Sequence, residues 1–251
     1  MSHPSAAARI RSPFAAYALA FLCLWFGSTP YADEVREVRQ LVTFKFEPGM
    51  TDRAVSIFVD ALLPVYKDAS ALLRFRGYHE AESPEPLDLI VVSSFKGMAG
   101  MDALNAQLAR ARPAGPSVRE LYGQIADMSA SHHDQFVEMI GDLAVAKASS
   151  RLQVFESVRI VPGGRGDFER LLASTVVPWE RGLASIKTSE TGRFLISDGW
   201  DYLRILGIDS LAEDHAYASA ARAQAFGARL DGLVVARKRI VVRQDPALSV
   251  R

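Results

Sequence analysis

The chain has 251 residues, enough for one large domain or two ordinary ones, with about half of them apolar, a formal charge of zero and one cysteine. Balanced charge excludes a nucleic-acid partner, because phosphate binding needs a basic excess. The lone Cys23 lies in an apolar N-terminal run, so the chain beyond it has no thiol for a disulfide, a nucleophile or a Cys-ligated metal.

The opening stretch "MSHPSAAARIRS" carries Arg9 and Arg11 and no acid, and Pro13 to Gly27 is uncharged and apolar before the polar "STPYADE". That pattern describes a secretory signal peptide over residues 1–32, with a core shorter than the roughly 20 residues of a membrane-spanning helix. The expectation is export to the periplasm or beyond. The alternative is a membrane anchor through an uncleaved N-terminal segment. "AFLC" has no small residue ahead of Cys23, which argues against a lipid anchor.

From Gln40 to Phe46 apolar residues alternate, and Pro48-Gly49 stops the strand. Thr51 can cap a helix that carries Val55, Ile57, Phe58, Leu62 and Leu63. A strand "LLRFRGYH", a loop "EAESPEP", a strand from Leu87 to Phe95 and a helix from about Met98 to Arg112 follow. Val118, Leu121, Tyr122, Ile125 and Met128 fall at helical spacing, and so do Phe136, Ile140 and Leu143, predicting two further helices. The fourth strand of this half is open, with "SSRLQVF" as its candidate.

The chain then repeats itself. Pro48-Gly49 returns as Pro162-Gly163 and Pro64 as Pro178, each 114 residues on, and Phe44, Phe46, Ile57, Phe58 and Leu62 return as apolar residues at the same offset. "PLDLIVVSSFKG" parallels "GWDYLRILGIDS", and "LVVARKRIVVR" closes the second copy as a strand. The expectation is an α+β fold of two tandem β-α-β-β-α-β units, residues 36–150 and 151–245, with a 246–251 tail. Each unit covers one face of its sheet, and the two bare faces stack into a closed barrel within one chain.

"LVTFKFEPGM" and "DLIVVSSFKG" resemble the stress-responsive members of the dimeric α/β-barrel superfamily, which has the ferredoxin-like unit. "VRIVPGGRGDFERLL", "VVPWERG" and "DSLAE" are similar to its NIPSNAP-like branch. The resemblance covers most of the chain after about Arg36 and rests on structural punctuation, so it transfers no active residue. It implies a range of activities: cofactor-free oxygenases, cyclases and isomerases, and haem proteins.

Strand alternation places Leu41, Thr43 and Lys45 inside the barrel, with Phe155, Ser157 and Arg159 as their counterparts. The third strands are read as sending Leu89, Val91, Ser93 and Phe95 inward, opposite Tyr202, Arg204, Leu206 and Ile208. Lys45, Arg159 and Arg204 would then line a basic cavity for an anionic or aromatic small molecule. The competing reading is that these side chains snorkel into water. His79 beside Tyr78, or Tyr202, could move a proton; the competing reading makes His79 a surface histidine at a strand end. His132 and His133 are adjacent on an expected helix start and diverge, so they cannot chelate one metal together; the preferred reading is a solvated helix start capped by Ser131, and the alternative is that one of them serves as acid/base or haem ligand.

No metal site is expected, and no cofactor, with haem in range. H-E-x-x-H, G-x-S-x-G, P-loop and strand-following G-x-G-x-x-G patterns are absent from the sequence. Three functions stay open: a small-molecule enzyme, a ligand carrier without turnover, and a scaffold whose filled barrel is inert. Association beyond the single-chain barrel is left open.

Overall fold

The structure is a computed structural model that describes residues 36–82, 87–111 and 115–250. The expected leader lies outside the described residues. The elements in order are β1 (Glu37–Phe46), α1 (51–68), β2 (Leu72–Glu82), β3 (Leu89–Lys96), α2 (Gly97–Arg110), α3 (Val118–Asp127), β4 (Ser129–Met139) and the short β5 (Val145–Ala146). Then come β6 (Leu152–Ile160), α4 (165–182), β7 (Thr188–Ile196), β8 (Tyr202–Ile208), α5 (Leu211–Ala223), α6 (Gly227–Leu233) and β9 (Val234–Val250). The sheet order is β4-β1-β3-β2-β9-β6-β8-β7-β5, and an additional β4–β7 pairing closes eight strands into an antiparallel α+β barrel. Closure removes the open edges that a four-stranded sheet would present.

Two seams join the halves. Along one, β2 pairs with β9, whose strand runs to Val250 opposite Phe75; the expected tail is therefore sheet. Along the other, Val137 faces Phe194 and Met139 faces Gly192. A Cβ on Gly192 would stand 2.3 Å from a Val137 methyl and 2.9 Å from the Glu138 carbonyl, so only glycine lets these strands approach.

Helices α1 and α4 share a local defect. Each contains a π-helical stretch, Ile57–Leu62 and Leu172–Val176, just before Pro64 and Pro178. Proline has no N–H to give the carbonyl a turn earlier, and the wider turn accommodates that loss. Helix α1 begins at Thr51, but no side-chain cap bond forms there.

The second helix expected around Phe136 to Leu143 is instead β4, the missing fourth strand. Its apolar positions fit both periods, and pairing along the whole of β1 supplies the backbone partners that decide for sheet. "SSRLQVF" belongs to β6 alone.

Four apolar clusters fill the barrel and its outer faces. The interior cluster holds Leu41, Tyr78, Ile90, Val92, Val137, Met139, Phe155, Leu203, Ile205, Ile240 and Val242. Leu41 and Phe155 point inward as expected, but β3 and β8 are reversed. Ile90, Val92, Leu203 and Ile205 face the interior, while Leu89, Val91 and Phe95 pack under the first half's helices and Tyr202, Leu206 and Ile208 under the second's. The register explains it. Leu41 lies opposite Val92, and directly paired residues share a face. Both strands are buried on both sides, so their sequences carry no sign of which side is which.

Candidate functional site

The void among Tyr78, Val92, Phe155 and Ile205 in the barrel interior is too small for a ligand. At one end of the barrel, inside the wall, a polar layer plugs the space: Arg39 donates from two nitrogens to Glu190, at 2.8 and 2.7 Å, and from Nε to Glu37 at 2.7 Å. The residual void there is about 10 Å³, with Arg74 and Arg76 beside it. Burial pushes the Glu37 and Glu190 carboxyls up, and the hydrogen bonds and charge of Arg39 outweigh it, so both stay below the usual carboxylate range.

This geometry does not assemble the expected cavity. Lys45 is exposed near the end of β1. Arg159 donates from Nε to the Gly199 carbonyl at 2.6 Å and lies over the Trp200 ring at 5.2 Å. Arg204 lies on the helix side of β8, bonded to Glu180 at 2.6 Å. The proposed proton carriers are also apart. His79 has Nδ1 3.1 Å from the Asp88 carbonyl and Nε2 3.1 Å from an Asp245 carboxylate oxygen. Tyr78 points into the barrel, so the two neighbours face opposite sides and share no proton. Tyr202 is buried under α4 and donates to Glu169, which Arg193 grips through two bonds of 2.6 Å. Burial, reinforced by the Glu169 carboxylate, pushes the Tyr202 phenol well up and keeps it protonated.

Space opens instead between the first half's sheet and its helices. A cavity of about 350 Å³ lies over the outer face of β1, β3 and β4, roofed by α1, α2 and α3. Its depth is aromatic. Phe44, Phe58, Phe75 and Tyr66 are buried there in a connected series, with centroid separations of 6.0 Å for Phe44–Phe58, 6.1 Å for Phe58–Phe75 and 4.9 Å for Tyr66–Phe75. Alternation along β1 sends Gln40, Val42 and Phe44 to this face, and pairing brings β4 alongside with Val42 opposite Asp134 and Phe44 opposite His132. Tyr122 comes from α3, a helix held at its start by a Ser117–Glu120 capping box. The Tyr122 and Tyr66 hydroxyls hydrogen-bond to each other at the wall. Burial pushes the Tyr122 phenol up, aided by the Asp134 carboxylate.

The rim is polar. His132 stacks on Phe44, with centroids 6.2 Å apart and planes at 25°. Its Nε2 stands 3.9 Å from one oxygen of Asp134, while Gln40 donates to the other at 2.8 Å. The His132 side chain is 51% exposed, so its ring meets both the cavity and solvent. Here is a greasy slot for a flat molecule with a base at its mouth, a carboxylate beside that base and an amide holding the carboxylate.

His133 points to the other side of β4, 3.6 Å from Asp198. As on a helix, the pair cannot bind one metal, and the described residues contain no cluster of three metal-ligating side chains. Haem, which the barrel resemblance brings into range, does not match this lining: among the described residues Asp134 is its one carboxylate, and no lysine or arginine lines it to pair with propionates.

Sequence reasoning noted His132 but missed Gln40, Tyr66 and Asp134. The usable signal was "HHDQF" read as a strand, which puts His132, Asp134 and Phe136 on one face.

Comparisons with solved structures agree on the fold. A monooxygenase-like protein from Lactobacillus acidophilus superposes with TM-score 0.58 at 8% identity, covering 86% of this chain and 98% of its own. An anthrone oxidase-like protein gives TM-score 0.61 at 9% identity, with coverage of 85% and 93%. A mutant chlorite dismutase from Candidatus Nitrospira defluvii in complex with cyanide gives 0.56 at 11%, with coverage of 86% and 93%. No protein-family model matches the chain, and no curated protein matches it.

Proposed function

We propose that the protein is a small-molecule enzyme acting on a planar aromatic or other conjugated substrate held in the first-half cavity, with His132 as general base. The observation that carries this is the Gln40–Asp134–His132 line at the mouth of an aromatic slot. Asp134 stands 3.9 Å from Nε2 of His132, and Gln40 holds that carboxylate through its other oxygen. The substrate's acidic hydroxyl or C–H gives up its proton to the exposed nitrogen edge. The resulting electron-rich anion is the form that dioxygen oxidises without a protein-bound metal, which fits a monooxygenase-type reaction. Likeness to the monooxygenase-like and anthrone oxidase-like structures supports that reaction class through the fold.

The test is oxygen consumption with a hydroxylated polycyclic such as an anthrone. Wild type should consume oxygen, and His132→Ala should lower the rate by about 10²–10⁴-fold, the usual contribution of a general base. Equal rates for the two proteins would sink the assignment.

The same reading includes the finer fold history. Both halves place their strands in one order, β4-β1-β3-β2 and β9-β6-β8-β7, which supports two tandem ferredoxin-like units; their sequence motifs are what suggest a stress-responsive type for the first and a NIPSNAP-like type for the second. It also includes export directed by residues 1–32. Among the described residues no helix is long and apolar enough to cross a membrane.

A further inference from the structure

The second half has its own opening at the corresponding place, with different chemistry. A groove of about 460 Å³ lies between the outer face of β6, β8 and β9 and helices α5 and α6. It is within the size range of small-molecule sites. Four arginines line it, Arg204, Arg222, Arg237 and Arg239, against two carboxylates, Glu156 and Asp231. One wall is apolar, formed by Ala218, Ala221, Leu230, Val234 and Val235. Val235 is 59% exposed, a large uncovered apolar side chain next to a charged floor.

Most of these charges are committed. Arg237 pairs with Asp231 at 3.0 Å, Arg239 with Asp214 at 2.6 Å and Arg204 with Glu180 at 2.6 Å. Glu156 stands 3.6 Å from Arg239 Nε, an ion pair without a hydrogen bond. Two features are left over. Arg222, exposed on the last turn of α5, has no hydrogen-bond or ion-pair partner among the described residues. The Nε–H groups of Arg204 and Arg239 are buried and have no acceptor. Orphaned buried donors are rare in folded proteins, and these two leave positive charge beneath the groove that the protein's own acceptors do not fully meet.

We infer that this groove is a second ligand site, separate from the aromatic slot, for a small organic carboxylate whose head group lies among Arg222, Arg237 and Arg239 and whose apolar body lies along Leu230, Val234 and Val235. A carboxylate offers the planar pair of acceptors that guanidinium groups match, and the apolar wall favours a molecule with a hydrocarbon part over a bare oxyanion. Arg204, expected from sequence to serve an anionic ligand, serves it here from beneath the groove, by its field and not from inside the barrel.

The experiment is calorimetric titration of the full chain with octanoate, and with inorganic phosphate as competitor. Octanoate should bind at one site, Arg222→Glu should weaken it at least tenfold, and Arg222→Lys should stay within about threefold, since one exposed charge is altered and then restored. Circular dichroism of both variants should match wild type. No octanoate binding, or equal affinity in Arg222→Glu, overturns the site. Displacement of octanoate by equimolar phosphate overturns the carboxylate assignment.

Discussion

The two halves answer the same structural problem in opposite ways. One lateral row of the first half's outer face reads Gly77, Val91, Val42 and Asp134 across β2, β3, β1 and β4. The equivalent row of the second half reads Thr191, Arg204, Glu156 and Arg239 across β7, β8, β6 and β9. Tyr66 and Phe75 of the first half become Glu180 and Ser189 at the 114-residue offset. Where the first half leaves an aromatic slot, the second fills the deep part with a charged knot: Glu180 is fully buried and accepts from Arg204, from Ser189 at 2.7 Å and from Tyr217. Trp179 seals it, 5.5 Å from the Tyr217 ring. Burial pushes the Tyr217 phenol up, so it stays a donor to that carboxylate. The lesson is that one sheet-and-helix frame leaves its deep layer open where the lining is aromatic and fills it where a buried carboxylate and guanidinium pair.

The largest effect that should separate the halves is at Glu180. Removing its carboxylate leaves the Arg204 guanidinium, 3% exposed, without its counter-charge. Glu180→Ala should therefore cost about 3–5 kcal/mol, read from urea unfolding. A loss below about 1 kcal/mol would mean that the knot is not what holds the second half.

Acid should weaken a different part, the plug that ties β1 to β7. Glu37 and Glu190 have folded pKa values below their ordinary 4.5, so the stability they contribute is present above about 4.5 and is lost as pH falls through the depressed values. Thermal midpoints measured from pH 6 down to 3 should drop below about 4.5, and Glu190→Gln should flatten that part of the curve. An unchanged slope in the variant would remove the Arg39 pair from the account of acid stability.

The smallest effect belongs to the slot. Tyr122 is 39% exposed and its hydroxyl bonds only to Tyr66 among the described residues. Tyr122→Phe should cost about 0.5–1.5 kcal/mol of stability, the net worth of one hydrogen bond. Its effect on the Michaelis constant for an aromatic substrate should exceed its effect on kcat, because the ring wall remains and the proposed proton chemistry is at His132. A fall in kcat with the Michaelis constant unchanged would place Tyr122 in the chemistry instead.

Local pattern alone determined a good deal. Pro-Gly stops mark where β1 and β6 end, helical spacing marks α1 and α3, and the 114-residue echo aligns the two halves. Leu41 and Phe155 were legible as interior because β1 and β6 each carry polar residues on the interior side, Thr43 and Lys45 in one and Ser157 and Arg159 in the other, which signs the alternation. Tertiary structure alone decided the rest. β3 and β8 are buried on both sides, so only pairing with β1 and β6 could say that Val91 and Arg204 face the helices. The stretch around His132 became strand because β1 offered it a row of unpaired backbone groups, and that choice built the mouth of the slot. Period and punctuation are properties of neighbours along the chain; which face is inside, and which side chains meet, depends on residues far apart in the sequence.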